Sequence, residues 1–153
     1  MKEMQNMSLR YSCLMMFFGS FIIQYFIMSS IMVYKFEHIR FSLGKFYMSI
    51  IMALLMVLLE ILMHDIYYKH FSYNYYIIDF ILLGIIIFLY KKQIFINEKE
   101  YLKEMIEHHS MVLLTSNKIK DKTNNQEINK LANNILNTQQ KEIKDMNNLI
   151  KYV

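Results

Sequence analysis

Phe46-Tyr-Met-Ser-Ile-Ile-Met-Ala-Leu-Leu-Met-Val-Leu-Leu-Glu60-Ile-Leu-Met63 is the stretch that decides the fold. It has one ionisable residue, near its end, and neither proline nor glycine. A helix at the surface of a soluble domain carries one apolar stripe; this one is apolar on every side and reads as a helix in lipid. Working outward, residues 11–34 contain no charged residue, and residues 71–90, firmest from Ile77, hold only Asp79 near their start. A bilayer core of about 30 Å needs roughly 20 helical residues, so three crossings are expected, near 11–34, 46–63 and 71–90. Lys2 and Arg10 precede the first segment as they would precede a signal peptide, but the apolar run is too long and no small-x-small site follows. It reads as a retained anchor. His64 to His70 leaves room only for a tight antiparallel turn, and Tyr67, Tyr68, Tyr73, Tyr75 and Tyr76 crowd it like an interfacial belt. Glu60 and Asp79 are expected near that interface, on one side.

Beyond Lys91 the chain turns rich in Lys, Glu, Asn and Gln. Residues 1–96 therefore read as a membrane domain and 97–153 as a soluble one. The net charge of +4 is scattered, with no basic run interleaved with aromatics, which argues against a nucleic-acid partner. The single cysteine, Cys13, excludes an intrachain disulfide. No nucleophile arrangement or phosphate-cradling glycines suggest hydrolysis or nucleotide chemistry. Fourteen methionines are far above ordinary usage. Methionine is a flexible filler of helix seams, and its thioether is a soft ligand for Cu(I). Met48, Met52, Met56, Glu60 and His64 recur every four residues, on one drifting helix face. They form either a packing seam or a soft-ligand track ending in a carboxylate and an imidazole.

In the polar third, Leu102, Met105, Ile106, His109, Val112 and Leu113 recur at helical spacing, and Ile128, Leu131, Ile135, Gln139, Glu142 or Ile143, Met146 and Leu149 do so again. The break falls at Asp121–Asn125, where Thr123 and Gln126 have capping-box spacing. The expected architecture is all-α: three transmembrane helices followed by a soluble antiparallel hairpin. About fifty residues bury too little apolar surface to stand alone, so the hairpin needs the membrane helices, a second copy or a bound ion. Adjacent His108 and His109 point about 100° apart, with Met105 on the same face. Folding about the turn sets Met105 and His109 against Leu136–Gln140, with Glu142 a turn away. An imidazole, thioether and carboxylate set of this kind suits copper or a similar transition metal. The alternative is a hydrogen-bonded histidine pair at the seam of a non-catalytic module that homodimerises at the membrane.

The run Tyr101-Leu-Lys-Glu-Met-Ile-Glu-His-His-Ser-Met-Val-Leu-Leu-Thr-Ser116, then Leu131-Ala132 and Gln139-Gln-Lys-Glu-Ile-Lys-Asp-Met146, resembles the domain-of-unknown-function family numbered 305. That family has M-I-x-H-H on one helix and A-Q-x-x-E-I-x-x-M on the next. Phe36-Glu37-His38-Ile39 ahead of Met48, Met52 and Met56 is similar to the L-D-H-V segment of its membrane-anchored branch. The resemblance implies a ferritin-like half-bundle and metal binding, copper foremost, through Met105, His108, His109, Gln139, Glu142 and Met146. Glu107 departs from the family's usual proline, Thr138 from its alanine, and Asn124 and Asn125 from an Asp-Pro turn.

Lys35, Arg40, Lys45, Lys91 and Lys92 against Lys2, Arg10 and Lys69 would put the hairpin in the cytoplasm by the positive-inside rule. The resemblance implies the non-cytosolic side, and that is the reading adopted. Di-metal oxidases on ferritin-like folds use Glu-x-x-His pairs on facing helices. Glu104 stands four residues before His108, so a metal-handling protein is expected rather than a catalyst.

Overall fold

The structure, a computed structural model, describes residues 8–153, and every regular element among them is helical. Three helices are long and apolar enough to cross a membrane: α1 (Leu9–Met32), α2 (Leu43–Tyr68) and α3 (Tyr73–Lys91). Between Ile23 and Met28, α1 widens into a π-helical segment. Helix α2 outruns the apolar stretch at both ends. At its start Ser42 Oγ accepts the Lys45 backbone N–H at 3.2 Å and caps the first turn. At its end the helix continues through His64, Asp65 and Tyr68, since polar side chains near a membrane surface do not interrupt backbone hydrogen bonding. Asp65 then ties the short connection, its carboxylate accepting the Ser72 backbone N–H and hydroxyl, each at 2.8 Å.

The described chain falls into two compact units. One comprises the chain up to Tyr25 together with Phe46–Ile94. Here Leu9, Val57 and Ile61 are buried, with Cys13, Met16, Phe17 and Tyr76 packed against them. Most large side chains of α1 and α3 face outward: 6% of the apolar window is buried in each, against 33% in α2. That pattern suits lipid as solvent, where an outward Leu or Ile carries no hydration penalty.

The other unit comprises Phe26–Lys45 and Phe95–Val153. Its body is the hairpin of α4 (Glu98–Lys122) and α5 (Gln126–Leu149). The Asn97 side chain caps α4 by accepting from the Glu100 N–H, and Glu98 and Glu100 complement the positive end of its dipole. The capping box expected at Thr123 and Gln126 does not form. Asn125 caps α5 instead, accepting from the N–H groups of Glu127 at 2.9 Å and Ile128 at 3.2 Å. Thr123 lies two residues further out, in the turn, where its hydroxyl accepts the Asn125 N–H at 3.1 Å. Leu102, Ile106 and Leu113 meet Leu136, Ile143 and Met146 in the hairpin core. These positions are four and seven residues apart on α4 and seven and three apart on α5, and the gaps in the stripe fall at His109 and Gln139.

Candidate functional site

The two gaps in the apolar stripe are filled by polar side chains that face the seam. His109 Nδ1 lies 3.1 Å from Glu142 Oε2. Neither atom has a partner besides the other, and Gln139 Oε1, three residues before Glu142 on α5, has no hydrogen-bond partner. All three are sealed from solvent, although the Glu142 side chain as a whole is 44% exposed. Polar atoms sealed in an apolar seam, with at most each other as partners, mark the spot as built for something besides packing. Burial holds the His109 imidazole below its ordinary value; Glu142 opposes that shift and His108 reinforces it. The ring is therefore neutral at neutral pH, the form that donates to a metal.

The six residues implied by the hairpin motifs divide. Met146 is buried in the core and Met105 packs against it. His109, Gln139 and Glu142 converge. His108 is exposed, its ring centroid 6.0 Å from that of His109 and tilted by 63°. Glu142, expected a turn away, stands directly opposite His109, because α4 runs on to Lys122 and moves the turn towards its C-terminal side. Among the described residues no three His, Cys, Asp or Glu side chains gather as a metal-binding group. On α2, Met48 and Met52 are exposed at 42% and 43%. Glu60 accepts a hydrogen bond from Ser12, and His64 rests against Tyr68 with ring centroids 4.5 Å apart.

The family model described as Domain of unknown function (DUF305) matches residues 93–150. An uncharacterized protein of Acanthamoeba polyphaga mimivirus is 33% identical over 138 residues, covering 90% of this chain and 90% of that one. The chain belongs to the DUF305 family. No solved structure matches it. The DUF305 match takes in both helices of the hairpin, and with them every residue of the polar seam.

What sequence reasoning missed lies on the far side of α4 from the turn. The segment after α1 returns over the DUF305 hairpin and plugs into it. Ser110, fully buried, accepts the Tyr34 backbone N–H at 2.9 Å, and its hydroxyl lies 2.8 Å from His38 Nδ1. The other ring nitrogen faces Glu37 at 3.7 Å. Glu107, the residue that replaces the family's usual proline, holds Lys45 at 3.1 Å, with both side chains nearly buried. Arg40 reaches Asn147 on α5 at 2.9 Å. Glu100 accepts the Leu43 N–H at 2.6 Å, at the amino end of α2. Beside it the Glu104 carboxylate crowds the Cα of Gly44 so closely that any side chain there would displace it. The Phe36-Glu37-His38-Ile39 segment was the one available signal: a histidine in an otherwise apolar and charged connection asks for a partner.

Proposed function

We propose that this chain is a membrane-anchored metal-binding protein whose hairpin holds copper or a similar soft transition metal. The observation that carries the reading is the sealed polar group in the apolar seam: His109 Nδ1 and Glu142 Oε2, 3.1 Å apart and with no other partner, and Gln139 Oε1 with none. Their chemistry fits a metal ion, which would supply the missing partner to imidazole nitrogen and carboxylate oxygen at once. His109 and Glu142 would be the principal donors, Gln139 an oxygen donor, and Met105 and Met146 the soft reserve beside them. Two strong donors with thioethers nearby suit a copper ion better than zinc, whose structural sites call for four ligands from Cys, His and carboxylate. His108, facing outward, would serve access rather than binding.

Metal analysis of the detergent-purified protein beside His109→Ala and His108→Ala tests this. Copper content should fall at least tenfold in His109→Ala and hold within about twofold in His108→Ala, a tenfold change matching 1.4 kcal/mol. Equal copper content in wild type and His109→Ala would sink the proposal. The alternative, a homodimerising module, draws on Ile128, Leu131 and Leu149, which stay exposed on α5. It predicts unchanged copper in both variants, and the particle mass measured on the same samples separates the two. Read as lying on the non-cytosolic side, the hairpin should be cleaved by protease added outside intact cells; protection until the membrane is opened would reverse that reading.

A further inference from the structure

A second unpartnered group lies in the unit built from the apolar helices. Asp79 on α3 is 3% exposed, and neither of its carboxylate oxygens has a hydrogen-bond partner. Asp79 lines a cleft of about 330 Å³ between α1, α2 and α3. The walls are apolar, including Phe17 and Val57, and the outer rim of Leu14, Ile78 and Leu82 is about half exposed, so the cleft opens towards the lipid face. Arg10 also stands in the lining, yet it makes no hydrogen bond to either Asp79 oxygen. Both residues come from the same end of the bundle, the start of α1 and the first third of α3.

An ionised carboxylate inside a membrane bundle calls for a counter-charge. A bare metal ion does not match the cleft, because among the described residues no three His, Cys, Asp or Glu side chains come together as ligands. The volume and the apolar walls are instead those of a site for a small organic molecule, with one polar group to fix its orientation. We propose that this cleft binds a lipophilic primary ammonium compound, with the ammonium on Asp79 and the apolar body along Phe17, Val57 and Leu82. Entry is from the lipid side, past Ile78. The site is independent of the hairpin seam: it uses different residues and a different chemistry.

Dansylcadaverine, a primary ammonium joined by a short alkyl chain to a fluorescent ring system, is a suitable probe. Fluorescence titration of the full chain in lipid nanodiscs, with empty discs subtracted, should give saturable binding. Asp79→Asn should weaken it tenfold or more, because the variant keeps the shape and removes the charge. The N-acetyl derivative, neutral and otherwise alike, should not saturate. Ile78→Trp, which narrows the cleft from an exposed position, should weaken binding even if Asp79→Asn proves unstable. Equal binding of the acetyl derivative, equal binding by Asp79→Asn and Ile78→Trp, or no signal above empty discs would each overturn the proposal. Displacement of the probe by potassium or copper salts alone would overturn it in favour of an ion site.

Discussion

His38 is buried and His109 partly so, and both face a polar group of the hairpin, yet the two sites differ in kind. His38 is hydrogen-bonded to Ser110 with Glu37 3.7 Å from its other ring nitrogen, whereas His109 has only Glu142 beside it. The first is therefore a structural histidine, and its titration should report on folding. Burial holds its imidazole below the ordinary value of 6.5. As pH falls through 6.5 the unfolded chain takes up a proton before the folded chain does. Stability is thus present above that pH and is lost below it, down through the depressed folded value. The thermal midpoint of the solubilised protein should drop on acidification from pH 7 to pH 5, and His38→Asn should flatten that drop without abolishing it, since His109 is shifted in the same direction. An unchanged acid slope in His38→Asn would contradict the assignment. The His109 partnership was only half legible. The stripe Leu102, Ile106, His109, Leu113 showed the imidazole facing inward, but which residue of α5 met it depended on how far α4 ran before the turn, and helix ends are weakly written in a Lys- and Asn-rich stretch.

Among the elements, the hairpin turn shows how a cap can be misassigned by spacing alone. Thr123-x-x-Gln126 has the right separation, and Asn125, two residues on, is the better acceptor because it abuts the first helical residue directly. Asn125→Ala should cost about 1 kcal/mol, read as a lower unfolding midpoint, while Thr123→Ala, which loses one exposed turn contact, should change stability by about half a kcal/mol or less. Equal costs would mean that the turn, not the cap, sets the helix start. The apolar helices were legible to within a few residues because length and continuous hydropathy are enough to find them. Their polar ends were not, since His64, Asp65 and Tyr68 read as loop by composition and are helix by hydrogen bonding. Asp79 is the larger surprise. Its place early in an apolar run suggested a carboxylate at the interface, and only the packing of three helices, which no local pattern encodes, buries it.

At the scale of the molecule, the unit formed by Phe26–Lys45 and Phe95–Val153 rests on a nearly buried ion pair. Lys45 and Glu107 expose 12% and 10% of their side chains, so each is a liability without the other. Removing one partner of such a pair costs about 3–5 kcal/mol, whereas replacing both by apolar groups of similar size is often neutral. Glu107→Leu alone should therefore destabilise this unit strongly, and Lys45→Met with Glu107→Leu should recover most of the loss, as followed by protease resistance of the hairpin. Additive damage in the double variant would show that the pair is not the organising contact. Nothing in the periodicity announced this pair, because its two members are separated by 62 positions and belong to stretches of different character.

The plug of residues 33–45 into the hairpin has a consequence for inheritance and for engineering. The family signature spans 93–150 and looks portable, a cassette that could be cut at its own edges. Cut there, it would carry a Glu107 carboxylate stripped of its cation and a Ser110 hydroxyl stripped of both neighbours, in a small domain with little surplus stability. What travels as a recognisable segment is thus smaller than what folds. A working transplant would have to bring along the loop that precedes α2, a stretch that shares no motif with the cassette it completes.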